Sequence, residues 1–297
     1  VSDAPVQQEF SGMPRRLYPA SPSKLLAWLD CPRRYRMQYL DRPRPVVRSP
    51  RAHTSVGVAT HNALRDFWDL APAERTPASV KTLVERSWID AGFRDAGQSA
   101  DWRARTTRRV TEYLRGVDRG RQPLGVERTV SLHTETLAVT GRLDRLDDRD
   151  GELVVVDYKT GRAPLTDDDV RTSLPMALYA VAVAAMFRRP CTRVELHHLP
   201  TGEVLAHEHT EATLQRKVAE AESIALDLRR ADADYAEKGA ASPLFEPRVS
   251  PICMWCDFRA HCPQGQLVGP EKSDWAGLET ADLPGAKLTR SDPGNPL

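Results

Sequence analysis

The chain has 297 residues and a formal net charge of +1, with 40% hydrophobic and 28% charged residues. That length can bury one large core or two ordinary ones, and no apolar run approaches the length that spans a bilayer. The opening VSDAPVQQEF has no basic segment followed by an apolar one, so no secretory signal is expected and the expected location is the cytoplasm. A net charge near zero supplies no global attraction to nucleic acid, which leaves local clusters to do so.

Residues 1–20 show no period and are expected to be a flexible lead-in. Ser21-Pro22 reads as a helix start, serine at the N-cap and proline in the first turn, with Leu25, Leu26, Trp28 and Leu29 following. Pro32 must kink that helix or begin another. Asp41 to Thr54 reads as a loop. Helical patterns return near 57–70, 76–95 and 101–119, so 21–124 is a helical region. Beyond Gly125 the period changes. VERTVSLHT, TLAVTGRLDRLD and ELVVVDYK are rich in Val, Leu and Thr and read as three strands, the last two joined by a DDRDG hairpin turn. Four consecutive apolar residues, Leu153 to Val156, predict a strand buried on both faces near the sheet centre. A helix near 173–188, strands near 193–199 and 203–209, and a long amphipathic helix near 212–237 complete a core over 125–240. A cysteine-rich segment spans 241–268, and 269–297, rich in Gly, Pro, Asp and Ser, is expected to be a mobile tail. The order predicts an α/β core wrapped by helices.

Arginines crowd the first half: Arg33, Arg34, Arg36, Arg42, Arg44, Arg48 and Arg51, then Arg103, Arg105, Arg108 and Arg109. Such clusters neutralise phosphates or simply form solvated helix faces, and the sequence favours neither. In VVVDYKTG, Asp157 and Lys159 are two apart on a strand and leave the same face. GRLDRLD, on the adjacent hairpin strand, can bring Asp144 beside Asp157. Two close carboxylates raise each other's pKa unless a cation sits between them, and Mg²⁺ or Mn²⁺ suits oxygen ligands. Such a metal would polarise a phosphoryl oxygen, and Lys159 would orient water or meet the growing charge. The alternative is a surface salt bridge.

GRLDRLD…ELVVVDYKTG resembles the RecB-type nucleases of the PD-(D/E)XK superfamily, which carry an Asp on one strand and Asp-Tyr-Lys on the next. The resemblance covers about residues 21–262. It implies a restriction-endonuclease-like core, a mixed central sheet flanked by helices, and a metal-dependent DNA exonuclease or end-processing nuclease of repair or recombination. In SVGVATHNAL, Gly57 and His61 resemble the family's Gly-x-x-x-His helix, which implies that His61 joins Asp144 and Asp157 as a metal ligand. The alternative is a core histidine bonded to a carbonyl. Glu127 stands where the family has an acidic residue before the first core strand, and either helps hold metal or pairs with an arginine. Tyr179 matches the tyrosine of the family's Gln-x-x-x-Tyr helix and would support the site, but Pro175 replaces the glutamine. That departure motivates a second reading, a DNA-binding or scaffold module with weak or no nuclease activity. Arg33, Arg34 and Arg36 are candidate contacts to a DNA strand or end.

Cys253, Cys256 and Cys262 fall within ten positions, one thiolate short of a tetrahedral zinc site or an iron–sulfur cluster. In a reducing compartment such a cluster binds metal more often than it forms disulfides. AddB-type and CRISPR-associated relatives carry one cysteine before the nuclease core and three after it. That likeness implies Cys31 as the fourth ligand of a [4Fe–4S] cluster, with Zn²⁺ as the rival. Cys191 has no cysteine near it in sequence and reads as a buried free thiol. His197 and His198 are consecutive on a strand and face opposite ways, so they cannot readily share an ion. No Walker-type phosphate loop is present, so unwinding would fall to a partner helicase.

Overall fold

The computed structural model describes residues 16–47 and 50–278. β1 (Tyr18–Ala20) is followed by α1 (Pro22–Asp30) and α2 (Pro32–Tyr39), which meet at the extended Cys31. Ser21 caps α1 by accepting from the Lys24 N–H at 3.1 Å, and Pro32 opens α2 rather than kinking one long helix. Then come α3 (Ala52–Asp69), α4 (Pro77–Ser87) and α5 (Ala96–Arg115). The α4–α5 break falls earlier than the expected gap at 95–101, because Asp95 caps α5 by accepting from the Gln98 N–H at 2.7 Å.

β2 (Gly125–His133), β3 (Leu137–Arg149) and β4 (Glu152–Lys159) form an antiparallel meander. α6 (Asp167–Thr172), α7 (Leu174–Phe187), β5 (Arg193–His198), β6 (Glu203–Glu208) and α8 (Glu211–Lys238) follow. Tight 3₁₀ turns and the short α9 (Pro263–Gln266) carry the cysteine-rich end.

The sheet is mixed, in the order β1-β3-β4-β5-β6, with β2 on the other edge of β3. The β1–β3 and β4–β5 pairs are parallel and the rest antiparallel. β4 is central, as its apolar run predicts. Leu153 and Val155 enter the core beneath α7 and α8, while Val154 and Val156 enter the core beneath α3, α4 and α5. All four are fully buried, each stabilising by about 1.5–3 kcal/mol relative to exposure. The result is an α/β/α sandwich of the restriction-endonuclease-like kind.

Both ends are more ordered than expected where they are described. Residues 18–20 of the expected lead-in pair with Leu137–Val139. Three residues are too few to show a period. What holds them is Tyr18, which donates to Asp232 of α8 at 2.6 Å, beside Tyr35, which donates to the other carboxylate oxygen at 2.7 Å. In the expected tail, Trp275 and Leu278 pack against Ala52, Val56 and Trp102. Residues 1–15 and 279–297, and Arg48 of the arginine cluster, lie outside the described residues.

β1 and β4 lie on the same side of β3, against Leu137–Val139 and Arg145–Arg149 respectively. Between them β3 has no strand partner on that edge among the described residues, and the candidate site forms at this opening.

Candidate active site

The β3–β4 ladder stops at Arg145↔Val156. One step on, where the strands part, the Tyr158 N–H donates to Asp144 Oδ2 at 2.7 Å. A side chain thus takes over from a missing ladder bond, and the bond fixes the Asp144 carboxylate at the opening. The other Asp144 oxygen lies 3.2 Å from His61 Nδ1 on α3. Gly57, one turn before His61, lets α3 come close to the end of β4: a Cβ there would stand 3.3 Å from Thr160 Oγ1.

Opposite Asp144 the β2–β3 register skips one pair, at Glu127. Glu127 has φ 45°, a left-handed conformation that a residue with a Cβ adopts at a cost of roughly 1–2 kcal/mol. The turn aims its carboxylate into the opening, where Arg142 Nε meets Glu127 Oε2 at 2.9 Å and donates to the Glu127 carbonyl at 2.9 Å. Donor atoms of His61, Glu127 and Asp144 all lie within 4.8 Å of one another, the one such group of three or more among the described residues.

Asp157 and Lys159 do leave the same face of β4, with Lys159 Nζ 2.8 Å from Asp157 Oδ2. The expected ligand trio was His61, Asp144 and Asp157, with Glu127 assisting. The structure instead gathers His61, Glu127 and Asp144, and places Asp157 beside them under Lys159. Tyr179 of α7 closes the opening from behind. Its ring lies on Gly141, where a Cβ would come within 2.5 Å of Cε1. Pro175 sits at the start of the same helix, where no N–H is missed, and Ser173 caps it.

The electrostatics show a shortage of positive charge. Burial first, then the Asp144 charge, raise the Glu127 pKa against the pull of Arg142, His61 and Arg65. Burial also raises Asp157; Lys159 opposes this and Asp144 adds to it. Burial pulls the His61 imidazole down, but its bond to Asp144 and the charges of Asp144, Asp157 and Glu127 outweigh burial and raise it. The Tyr179 phenol is pushed up to about 12 by burial, then by Asp157 and Asp144. An imidazole nitrogen with several underpaired carboxylates is a donor set that a divalent cation fits.

On the far face of β4 a second charged group is paired within the protein. Arg145 donates to the hydroxyls of Tyr113 and Tyr158 at 3.1 Å each and pairs with Asp147, while Trp68 Nε1 donates to the Tyr158 hydroxyl at 3.0 Å. His197 belongs to this group and His198 bonds the Gly161 carbonyl instead, so the two histidines do part ways.

Cys31, Cys253, Cys256 and Cys262 line one cavity of about 180 Å³ with Arg34, Trp255 and Phe258. All are free thiols. Gly265 passes over Cys262, its N–H donating to the sulfur at 3.4 Å, and a Cβ there would meet that sulfur at 3.4 Å. Buried Arg259 clamps the segment by donating to the carbonyls of Gly265, Gln266 and Gly269. Cys191 is buried, its pKa raised to about 12 by burial and then by Glu152, and its thiol donates to the Leu153 carbonyl. Arg33 reaches the Phe245 carbonyl and Gln264, Arg34 pairs with Asp30 at 3.0 Å, and Arg36 holds Asp41 and the Ala240 carbonyl. These three arginines tie α2 to its surroundings.

Sequence reasoning missed Gly141 and Arg142. A glycine inside a strand pattern signals close approach of another group, and that signal was there to read. Nothing local marks Arg142 as the partner of a residue fifteen positions away.

Residues 19–263 match the family described as the PD-(D/E)XK nuclease superfamily, and the chain belongs to that superfamily. Nucleases of this superfamily generally use divalent metals. Among solved structures the chain is similar to a protein of Eubacterium rectale provisionally described as an exonuclease. The two are 11% identical, with 86% of this chain and 93% of that one covered and a TM-score of 0.49. It is also similar to SSO0001, at 14% identity, covering 70% and 84%, with a TM-score of 0.28. No curated protein matches. Among the described residues no helix is long and apolar enough to cross a membrane.

Proposed function

We propose that this chain is a divalent-metal-dependent deoxyribonuclease of the RecB type, acting as an exonuclease or on DNA ends in repair or recombination. The observation that carries the reading is the convergence of His61, Glu127 and Asp144 beside the Asp157–Lys159 pair. These four acidic and imidazole groups would hold Mg²⁺ or Mn²⁺. The bound ion supplies Lewis-acid polarisation of the phosphoryl oxygen and a lowered pKa for water. Lys159 places a cation at the rim of the site, where it can hold the attacking water or meet charge developing on the phosphate. Tyr179 positions the strand carrying Asp144 through its packing on Gly141.

Four thiols lining one cavity support a [4Fe–4S] cluster at Cys31, Cys253, Cys256 and Cys262. No three of their sulfurs lie within 4.8 Å of one another. A single tetrahedral zinc, with Zn–S of about 2.3 Å, would draw its sulfurs to about 3.8 Å apart, and metal analysis separates the two. Such a cluster would fasten the α1–α2 corner to the chain's far end, closing a very long loop.

End-labelled single- and double-stranded DNA incubated with anaerobically purified protein in Mn²⁺, Mg²⁺ or EDTA tests the reading. Metal-dependent products, formed about 10²–10³-fold more slowly by Lys159→Ala, are expected. A folded protein that binds DNA but yields no product at any metal concentration would instead establish the scaffold reading and make Pro175 the residue to explain. Iron and sulfide analysis of the same sample should give four of each per chain, whereas stoichiometric zinc in a colourless sample would overturn the cluster.

A further inference from the structure

Beyond Lys159 the chain runs through Thr160, Gly161 and Arg162, which line a cavity of about 330 Å³. Its other walls are His53 of α3, Trp102 and Arg109 of α5, Trp255 of the cysteine segment, and Leu278. The volume is in the range of small-ligand pockets. It adjoins the carboxylate cluster, since Thr160 faces Gly57, one turn from His61.

Two properties define what it would take. Arg109 rests over the Trp102 ring at 5.4 Å, and neither Arg109 nor Arg162 forms an ion pair with a carboxylate among the described residues. Their charges are available to an anion. The aromatic walls are Trp102, buried, Trp255, half-buried with Arg51 5.1 Å from its ring centre, and His53, exposed, which meets Trp255 edge to face at 5.8 Å and 79°. Burial, then Arg51 and Arg162, lower the His53 pKa, so its ring is mostly neutral near pH 7 and adds flat surface rather than charge. Flat rings beside unpaired guanidinium groups are what recognises a nucleotide in a single strand.

We infer that this groove holds one unpaired nucleotide of a DNA strand next to the scissile phosphate, its base against Trp255 and its phosphates on Arg109 and Arg162. The inference rests on the nuclease reading of the neighbouring cluster. A base inside a duplex is already stacked and paired and cannot enter such a recess without leaving the helix. The groove therefore selects single strands or frayed ends. Trp255 also lines the cysteine cavity, so the cysteine site holds the stacking wall in place.

Polarisation of a labelled oligo-dT, an equally long abasic strand and a duplex, titrated with full-length protein in EDTA, tests this without cleavage. Trp255→Leu should weaken oligo-dT binding roughly tenfold and leave the abasic strand and duplex unchanged. Arg162→Gln, at an exposed position, should reduce the slope of log K against log salt by about 0.7, one phosphate contact on a single strand. Oligo-dT binding equal to wild type in both variants would overturn the groove. If the wild type still cleaves DNA with Mn²⁺ in that case, the nuclease reading survives. Trp255-dependent binding without cleavage would keep the groove and sink the nuclease, and no binding by the wild type would overturn the groove outright.

Discussion

On β5, Glu195 is 2% exposed and its carboxylate is fully partnered: Arg149 spans both oxygens at 2.8 Å, and Arg193 and His197 add contacts at 2.9 Å. At the opening between β3 and β4, Glu127, Asp144 and Asp157 crowd together with one lysine, two arginines and an imidazole near them. Burial works against ionisation in both places. Around Glu195 the cations and His197 outweigh it and hold the pKa well below the usual carboxylate range. Around Glu127 and Asp157 they do not, and both are raised. A charged cluster that satisfies itself is part of the scaffold. One left short of positive charge is poised for a ligand that brings it.

Neutralising one carboxylate in each cluster separates the two roles. Glu195→Gln should be the most damaging to the fold, about 2–3 kcal/mol, because it removes the buried carboxylate charge that Arg149, Arg193 and His197 all bond; urea denaturation reads this. The folded-state pKa of Glu195 is depressed, so its contribution is fully present above the ordinary carboxylate range and lost as pH falls through that range toward the folded value. The wild-type advantage over Glu195→Gln should shrink accordingly in acid. Lys159→Ala should lower the cleavage rate by about 10²–10³-fold while the urea midpoint stays within experimental error. An equal loss of stability would move Lys159 into the scaffold class.

Gly141→Ala places a methyl against the Tyr179 ring and should cost about 1–3 kcal/mol by overpacking. Its cleavage rate should fall too, since the same strand carries Asp144, and Tyr179→Phe in the same background would not restore it, because the clash is with the ring. The smallest effect is the most diagnostic. Asp157→Asn should abolish metal-dependent cleavage yet raise the unfolding free energy slightly, because the raised pKa makes the ionised form a net burden in the folded state. A loss of stability would mean that Lys159 compensates Asp157 fully and that the two clusters do not differ in kind.

How much of this was legible beforehand follows from distance along the chain. Asp144, Asp157, Lys159 and the hairpin that joins them lie within sixteen residues, and strand periodicity alone sets which face each side chain leaves. The four apolar residues of β4 likewise announced a central strand. Glu127 was visible as an acid near the right place, but its convergence with His61 and Asp144 was not. Its left-handed backbone depends on β2 meeting β3 at that step, and no property of GVERTV reveals it. The three early arginines looked like a phosphate-binding cluster, and the fold bonds each of them to carbonyls and carboxylates of the chain itself.

The sequence by itself therefore determined the elements, the central strand and the local hairpin chemistry, because those rest on side-chain alternation and on neighbours a few residues apart. Tertiary structure alone decided what lies across gaps. It brought His61 to Asp144 by seating Gly57 against Thr160, gathered Cys31 with three cysteines more than two hundred residues away, and set Trp255 between the cysteine cavity and the groove beside Lys159. These contacts exist only when both layers of helices close on the sheet. That closure is driven by non-directional apolar burial, which carries no mark at the polar residues it brings together.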